Sequence, residues 1–119
     1  MTCDDNFVKV APKLMSLERY TEFNSGWNQL FMDLCIELEA LIDAEPVKDQ
    51  KRYVIEQAKE KFGYLTVYMS SSTTLMDEAI KRAAIKSKTT CEVCGKPGKM
   101  RGTRWFYTSC DEHSLPVDL

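Results

Sequence analysis

Histidine is almost missing from this chain, with one, His113, in 119 residues. That scarcity excludes most nucleophilic and acid–base catalysis, because a Ser–His or Cys–His pair needs an imidazole free to take a proton. Glycine and proline are sparse, at five and four, and no Gly-rich loop of the phosphate-cradling type is present. No apolar run approaches the roughly 20 residues of a membrane-spanning helix. The first residues lack a basic stretch followed by a hydrophobic one, so no secretory signal is expected. These absences point to a chain with no membrane segment and no catalytic residues, and five cysteines in no even framework beyond two close pairs point to a reducing, cytoplasmic compartment.

What is present is an ordinary globular composition, 44% hydrophobic and 29% charged in 13.7 kDa. At this size the core is modest, and a metal ion is a natural supplement to it. The net charge of −2 hides a gradient. Residues 1–45 hold nine acids against three bases, and residues 46–110 hold thirteen bases against six acids. The last nine residues are acidic again, through Asp111, Glu112 and Asp118. Such asymmetry is expected of a chain that meets a charged partner, and the two halves also suit each other across a homodimer.

The strongest motif lies near the end. Cys91-Glu92-Val93-Cys94 and Cys110-Asp111-Glu112-His113 form Cys-x₂-Cys and Cys-x₂-His pairs. Two close pairs of soft or borderline ligands suit one tetrahedral Zn²⁺. With four protein ligands no position remains for an activated water, so the ion would be structural. Gly95 and Pro97-Gly98 supply the turns such a site needs. The intervening fifteen residues, Gly95 to Ser109, are enough for one hairpin. Disulfide pairing or idle thiols is the competing reading. Cys35 falls among apolar helix positions and reads as a small buried hydrophobe. Cys3 has no assigned role.

Read in order, residues 1–24 are an N-terminal arm, with Leu14, Met15, Leu17 and Tyr20 making a short helical turn. Residues 25–88 are a helical core with a short strand, and 89–119 are a zinc ribbon and tail. Ser25 is the expected cap of an amphipathic helix carrying Trp27, Leu30, Phe31, Leu34, Leu38, Leu41 and Ile42 at helical spacing. Glu37, Glu39, Asp43 and Glu45 read as the solvated acids of this helix rather than a Mg²⁺ site. Glu45-Pro46 ends it. A second helix is expected from about Lys48 to Phe62, with Tyr53, Val54, Ala58 and Phe62 apolar and Gly63 as its cap. Tyr64–Met69 reads as a strand. Thr74 with Asp77 resembles a capping box for a third helix, Leu75 to Lys86. The ribbon hairpin is expected as Lys99–Arg101 against Arg104–Tyr107 through Gly102-Thr103. Alternation there predicts that at least one aromatic packs between ribbon and helix. The fold class is therefore α+β, two to three helices and a short strand with a C-terminal zinc ribbon.

Gly26-Trp27, Lys59-Glu60-Lys61-Phe62-Gly63, Cys91 to Gly98 and Cys110 to His113 together resemble a family of small, largely uncharacterised proteins of bacteria and tailed phages. The likeness covers most of the chain from Gly26. Members often carry further cysteines just before the Gly-Trp; here Glu22-Phe23-Asn24 stand in their place, so a second metal site is not expected. The resemblance implies a phage or prophage accessory protein and no particular activity.

Two functional expectations follow. The first is a non-enzymatic zinc-stapled protein that binds and blocks a host protein or nucleoprotein complex, such as a CRISPR effector or the transcription machinery. The second is a nucleic-acid binder. From Lys81 to Arg104 there are eight bases (Lys81, Arg82, Lys86, Lys88, Lys96, Lys99, Arg101, Arg104) and one acid, Glu92, followed by Trp105, Phe106 and Tyr107. Bases beside aromatics suit phosphate contact and base stacking, although surface lysines on a helix are routine.

Overall fold

The computed structural model describes residues 20–119. Their order is β1 (Tyr20–Glu22), a 3₁₀ turn (Ser25–Trp27), α1 (Asn28–Asp43), a 3₁₀ segment (Val47–Arg52), β2 (Ile55–Lys61), β3 (Tyr64–Met69) and α2 (Thr74–Ser87). The cysteine-bearing segment adds β4 (Lys99–Arg101), β5 (Tyr107–Ser109) and 3₁₀ turns at Asp111–His113 and Pro116–Asp118. The arm over residues 1–13, Cys3, and Leu14, Met15 and Leu17 of the expected turn lie outside the described residues. Tyr20 belongs to a strand, not to a helical turn.

Three strands form one sheet in the order β1-β2-β3. β1 runs parallel to β2, so α1 is the crossover between them, and β2 and β3 form an antiparallel hairpin. Trp27, Phe31, Leu34, Leu38 and Ile42 of the first helical stretch meet Ile55, Ala58, Leu65 and Val67 of the sheet and Met76 and Ala79 of α2 in one core. Cys35 is buried among them. No helix among the described residues is long and apolar enough to cross a membrane.

The fold is α+β, as the sequence implies, but its sheet is larger than expected. The helix predicted from Lys48 to Phe62 is instead a 3₁₀ segment followed by β2. The expected apolar side does not hold together: Ala58 is buried in β2, whereas Phe62 is 63% exposed on the turn after it. β2 also carries an irregularity between Ile55 and Gln57 that leaves its buried residues Ile55 and Ala58 three apart rather than two. Phe62 and Gly63 then adopt φ of 54° and 89°, the left-handed pair of a two-residue hairpin. Gly63 thus turns a hairpin and caps no helix.

Both helix starts also differ. Thr73, not Thr74, caps α2: its Oγ1 accepts from the Met76 N–H at 3.3 Å. Asp77 accepts from Ser72 Oγ at 2.6 Å, outside any capping box. Ser25 opens a 3₁₀ turn rather than capping α1, and neither Asn24 nor Trp27 makes a side-chain cap bond. In the second hairpin Arg101 pairs with Tyr107, and Lys99 with Ser109. The return strand therefore starts at Tyr107, and Arg104, Trp105 and Phe106 lie in the connecting loop. Trp105 and Phe106 are 71% and 41% exposed, so the alternation expected of strand residues does not apply to them. Tyr107 faces the C-terminal residues, with its hydroxyl donating to the Asp118 carboxylate.

Candidate metal centre

The first ligand pair sits on a tight turn. The Gly95 N–H donates to the Cys91 carbonyl at 2.9 Å, and the Cys91 N–H to the Lys96 carbonyl at 2.8 Å. Gly95 has φ of 82°, which only glycine adopts without strain. The second pair sits on the 3₁₀ turn, where the His113 N–H donates to the Cys110 carbonyl at 3.2 Å. The β4–β5 hairpin returns the chain so that the two turns face each other.

The result brings together the four residues singled out by spacing. Cys91 Sγ, Cys94 Sγ, Cys110 Sγ and His113 nitrogen all lie within 4.8 Å of one another. Cys94 Sγ and Cys110 Sγ are 3.7 Å apart, and His113 Nδ1 is 3.7 Å from Cys91 Sγ and 3.2 Å from Cys110 Sγ. A tetrahedral ion with metal–sulfur bonds of about 2.3 Å sets sulfur–sulfur edges of about 3.8 Å and sulfur–nitrogen edges of about 3.6 Å. The quartet therefore fits a metal ion. Its sulfurs are too far apart for a disulfide, and all three thiols are free.

Two of the thiols differ in their electrostatics. Burial pushes the Cys91 thiol up, but hydrogen bonds from the backbone of Cys110, Cys94 and Val93 outweigh it and bring it down to about 6. A thiolate at neutral pH is the form that ligates metal. Around Cys94 the Lys96 N–H lowers the thiol's pKa, while burial and the neighbouring sulfurs raise it, and the net shift is upward.

The site is also docked on the helical core. The Gly26 N–H donates to the Glu92 carbonyl at 2.7 Å, and the Asn24 N–H to the Glu92 carboxylate at 3.1 Å. The buried Trp27 donates its indole N–H to the Thr90 carbonyl at 2.8 Å. A Cβ on Gly26 would stand 2.3 Å from the Cys91 carbonyl oxygen, so the metal-binding turn needs a glycine there. On the other side, Thr108 Oγ1 donates to the Gly63 carbonyl at 2.5 Å. The Gly26-Trp27 and Phe62-Gly63 motifs thus mark where the core receives the cysteine-bearing segment. Sequence reasoning placed neither as a contact, because their partners lie more than 40 positions away.

The predicted basic surface is not one surface. Arg101 is 7% exposed. Its guanidinium donates to the Ser109 carbonyl at 3.2 Å and the Asp111 carboxylate at 2.7 Å, so it ties the hairpin to the second ligand turn. Arg82 pairs with Glu37 across α1 and α2, and the Lys88 ammonium lies 4.9 Å from the Tyr64 ring centroid. Lys81, Lys86, Lys96, Lys99 and Arg104 are exposed. Lys96 and Lys99 line a cleft shared with Asp111 and Glu112, whereas Arg82 and Lys86 line another shared with Asp33 and Glu37. Of the predicted aromatics, Trp105 and Tyr107 line a separate groove, their rings in contact.

No family model, curated protein or solved structure matches this chain.

Proposed function

We propose that this protein is a non-enzymatic binding module whose C-terminal segment is a zinc ribbon, and that it acts by occluding a functional surface of a host macromolecular assembly. The carrying observation is the convergence of Cys91, Cys94, Cys110 and His113 with edges of tetrahedral size. Zinc is the ion of choice for a Cys₃His set, and when bound it would contribute folding energy to a segment with little core of its own. Such a staple holds a small surface rigid, which lowers the entropy lost on docking. The exposed Val93, Trp105, Phe106 and Leu115 stand on that stapled segment. The phage-type resemblance makes a bacterial defence complex, such as a CRISPR effector, or the transcription machinery the natural target in the host cytoplasm.

Elemental analysis tests the staple: one zinc per chain is expected, and about none in Cys91→Ser or Cys110→Ser protein. Affinity purification from host lysate, with nuclease added, tests the module. A stoichiometric protein partner is expected, and recovery of nothing above background refutes the reading.

The exposed Trp105, next in sequence to the exposed Arg104 and on the same segment as the exposed Lys96 and Lys99, favours a second reading, sequence-tolerant nucleic-acid binding. It requires an oligonucleotide complex that weakens steeply with salt and disappears in a K96A/K99A/R104A variant. Absence of binding at low salt removes it.

A further inference from the structure

Resting on the binding-module reading, we infer that the groove walled by Trp105 and Tyr107 receives a lysine or arginine side chain of the partner polypeptide.

The groove has a volume of about 210 Å³ and is bordered by Glu92, Val93, Trp105, Tyr107 and Leu115. No lysine or arginine lines it. The two clefts described above differ, since each mixes bases with acids. The rings of Trp105 and Tyr107 stand 6.2 Å apart at 45°. Two aromatic faces meeting at an angle form the start of a cage, and a cation over such faces is attracted by their quadrupoles. The cage is set in advance: the Tyr107 hydroxyl donates to Asp118 and accepts the Leu115 N–H at 3.0 Å.

Glu92 supplies the matching charge. Its carboxylate is fixed by one hydrogen bond, from the Asn24 N–H at 3.1 Å. An ionised carboxylate accepts at about four lone-pair sites, so capacity remains for a guest donor. Val93 and Leu115, 46% and 52% exposed, offer apolar contact for the methylene stem of a long basic side chain. A nucleobase would stack on Trp105 equally well. Its phosphate, however, would meet the Glu92 carboxylate with no lysine or arginine in the lining to receive it, the one histidine there, His113, having its Nδ1 against the Cys91 and Cys110 sulfurs. Charge complementarity therefore selects a basic polypeptide over a nucleic acid.

The test titrates zinc-loaded, ¹⁵N-labelled protein with blocked Gly-Lys-Gly, Gly-Arg-Gly and Gly-Glu-Gly and with a short oligothymidylate. The basic tripeptides are expected to move the Trp105 indole signal and the Val93 and Leu115 amides saturably in the millimolar range. The buried Trp27 indole signal should stay in place. Glu92→Gln, which keeps an acceptor for Asn24, and Trp105→Ala, at an exposed position, should each weaken binding about tenfold. No saturable shift, an equal response to Gly-Glu-Gly, or preference for the oligonucleotide would each overturn the assignment. A partner captured equally well by the E92Q/W105A double variant would end this inference and leave the binding-module reading standing. Failure of the wild-type protein to capture any partner would end that reading instead.

Discussion

Replacing Gly26 by alanine separates local propensity from tertiary fit, because the two predict opposite signs. Gly26 occupies a helical turn and has no positive φ. By propensity alone, alanine there should stabilise by about 1 kcal/mol. The structure says otherwise. The new Cβ would lie 2.3 Å from the Cys91 carbonyl oxygen and 2.4 Å from the Glu92 carbonyl carbon and oxygen, all backbone atoms. No side-chain rotation relieves that clash, so the turn must lift away from the helix start. Three hydrogen bonds across the seam are then at risk: Gly26 to Glu92, Asn24 to Glu92, and the Trp27 indole to Thr90. At about 1 kcal/mol each, less the propensity gain, the net cost is about 2 kcal/mol, more if the buried indole N–H is left unpaired. Urea unfolding of the zinc-loaded protein measures this, with Ser25→Ala as a neighbouring control near zero. On the proposed zinc reading, metal content should be the same in Gly26→Ala as in wild type, since all four candidate ligands lie between Cys91 and His113. Unchanged or increased stability would refute the seam.

Other outcomes are expected. Phe62→Asn should stabilise by about 1 kcal/mol in thermal unfolding, because Phe62 holds φ of 54° on an exposed turn where asparagine is at ease. Arg101→Met should cost about 1–3 kcal/mol by stranding the buried Ser109 carbonyl, and Arg101→Lys should not restore it, since one ammonium cannot reproduce the fork. Tyr53 donates its hydroxyl to Glu45 at 3.0 Å, and that bond holds its pKa above 10. The folded value is raised, so the stability it contributes is full below about pH 10 and is lost as pH rises through the folded value. In Glu45→Gln the Tyr53 ring signal should titrate closer to pH 10 by NMR; an unmoved titration would show that the bond does not set it.

The ligand quartet and the first helix were legible because both are written in short-range spacing. Cys-x₂-Cys and Cys-x₂-His each fit one turn, and Leu30, Leu34, Leu38 and Ile42 recur at helical intervals on one buried face. β2 was not legible, because Ala58 and Phe62 stand four apart like helix neighbours, although one is buried in the strand and the other exposed on the turn. Nothing nearby reveals that Tyr64–Met69 needs a second strand on one side. Arg101 illustrates the same gap for the site. As a residue type it belongs on the surface, and only the folded hairpin brings Ser109 and Asp111 close enough to bury it. The docking of Gly26-Trp27 on the metal-binding turn depends on contacts 63 or more positions apart in sequence. No local pattern encodes those.

The placement of the two tryptophans gives the molecule a pair of built-in optical probes with separate duties. Trp27 is wholly shielded, and its indole is tethered at the junction between the core and the cysteine-bearing segment; Trp105 is 71% open to solvent. Emission from the first should shift to longer wavelength only when that junction parts. Quenching of the second by a dissolved ion should respond to whatever covers the groove. One fluorimeter can therefore follow detachment of the cysteine-bearing end and arrival of a guest as distinct events, without a label.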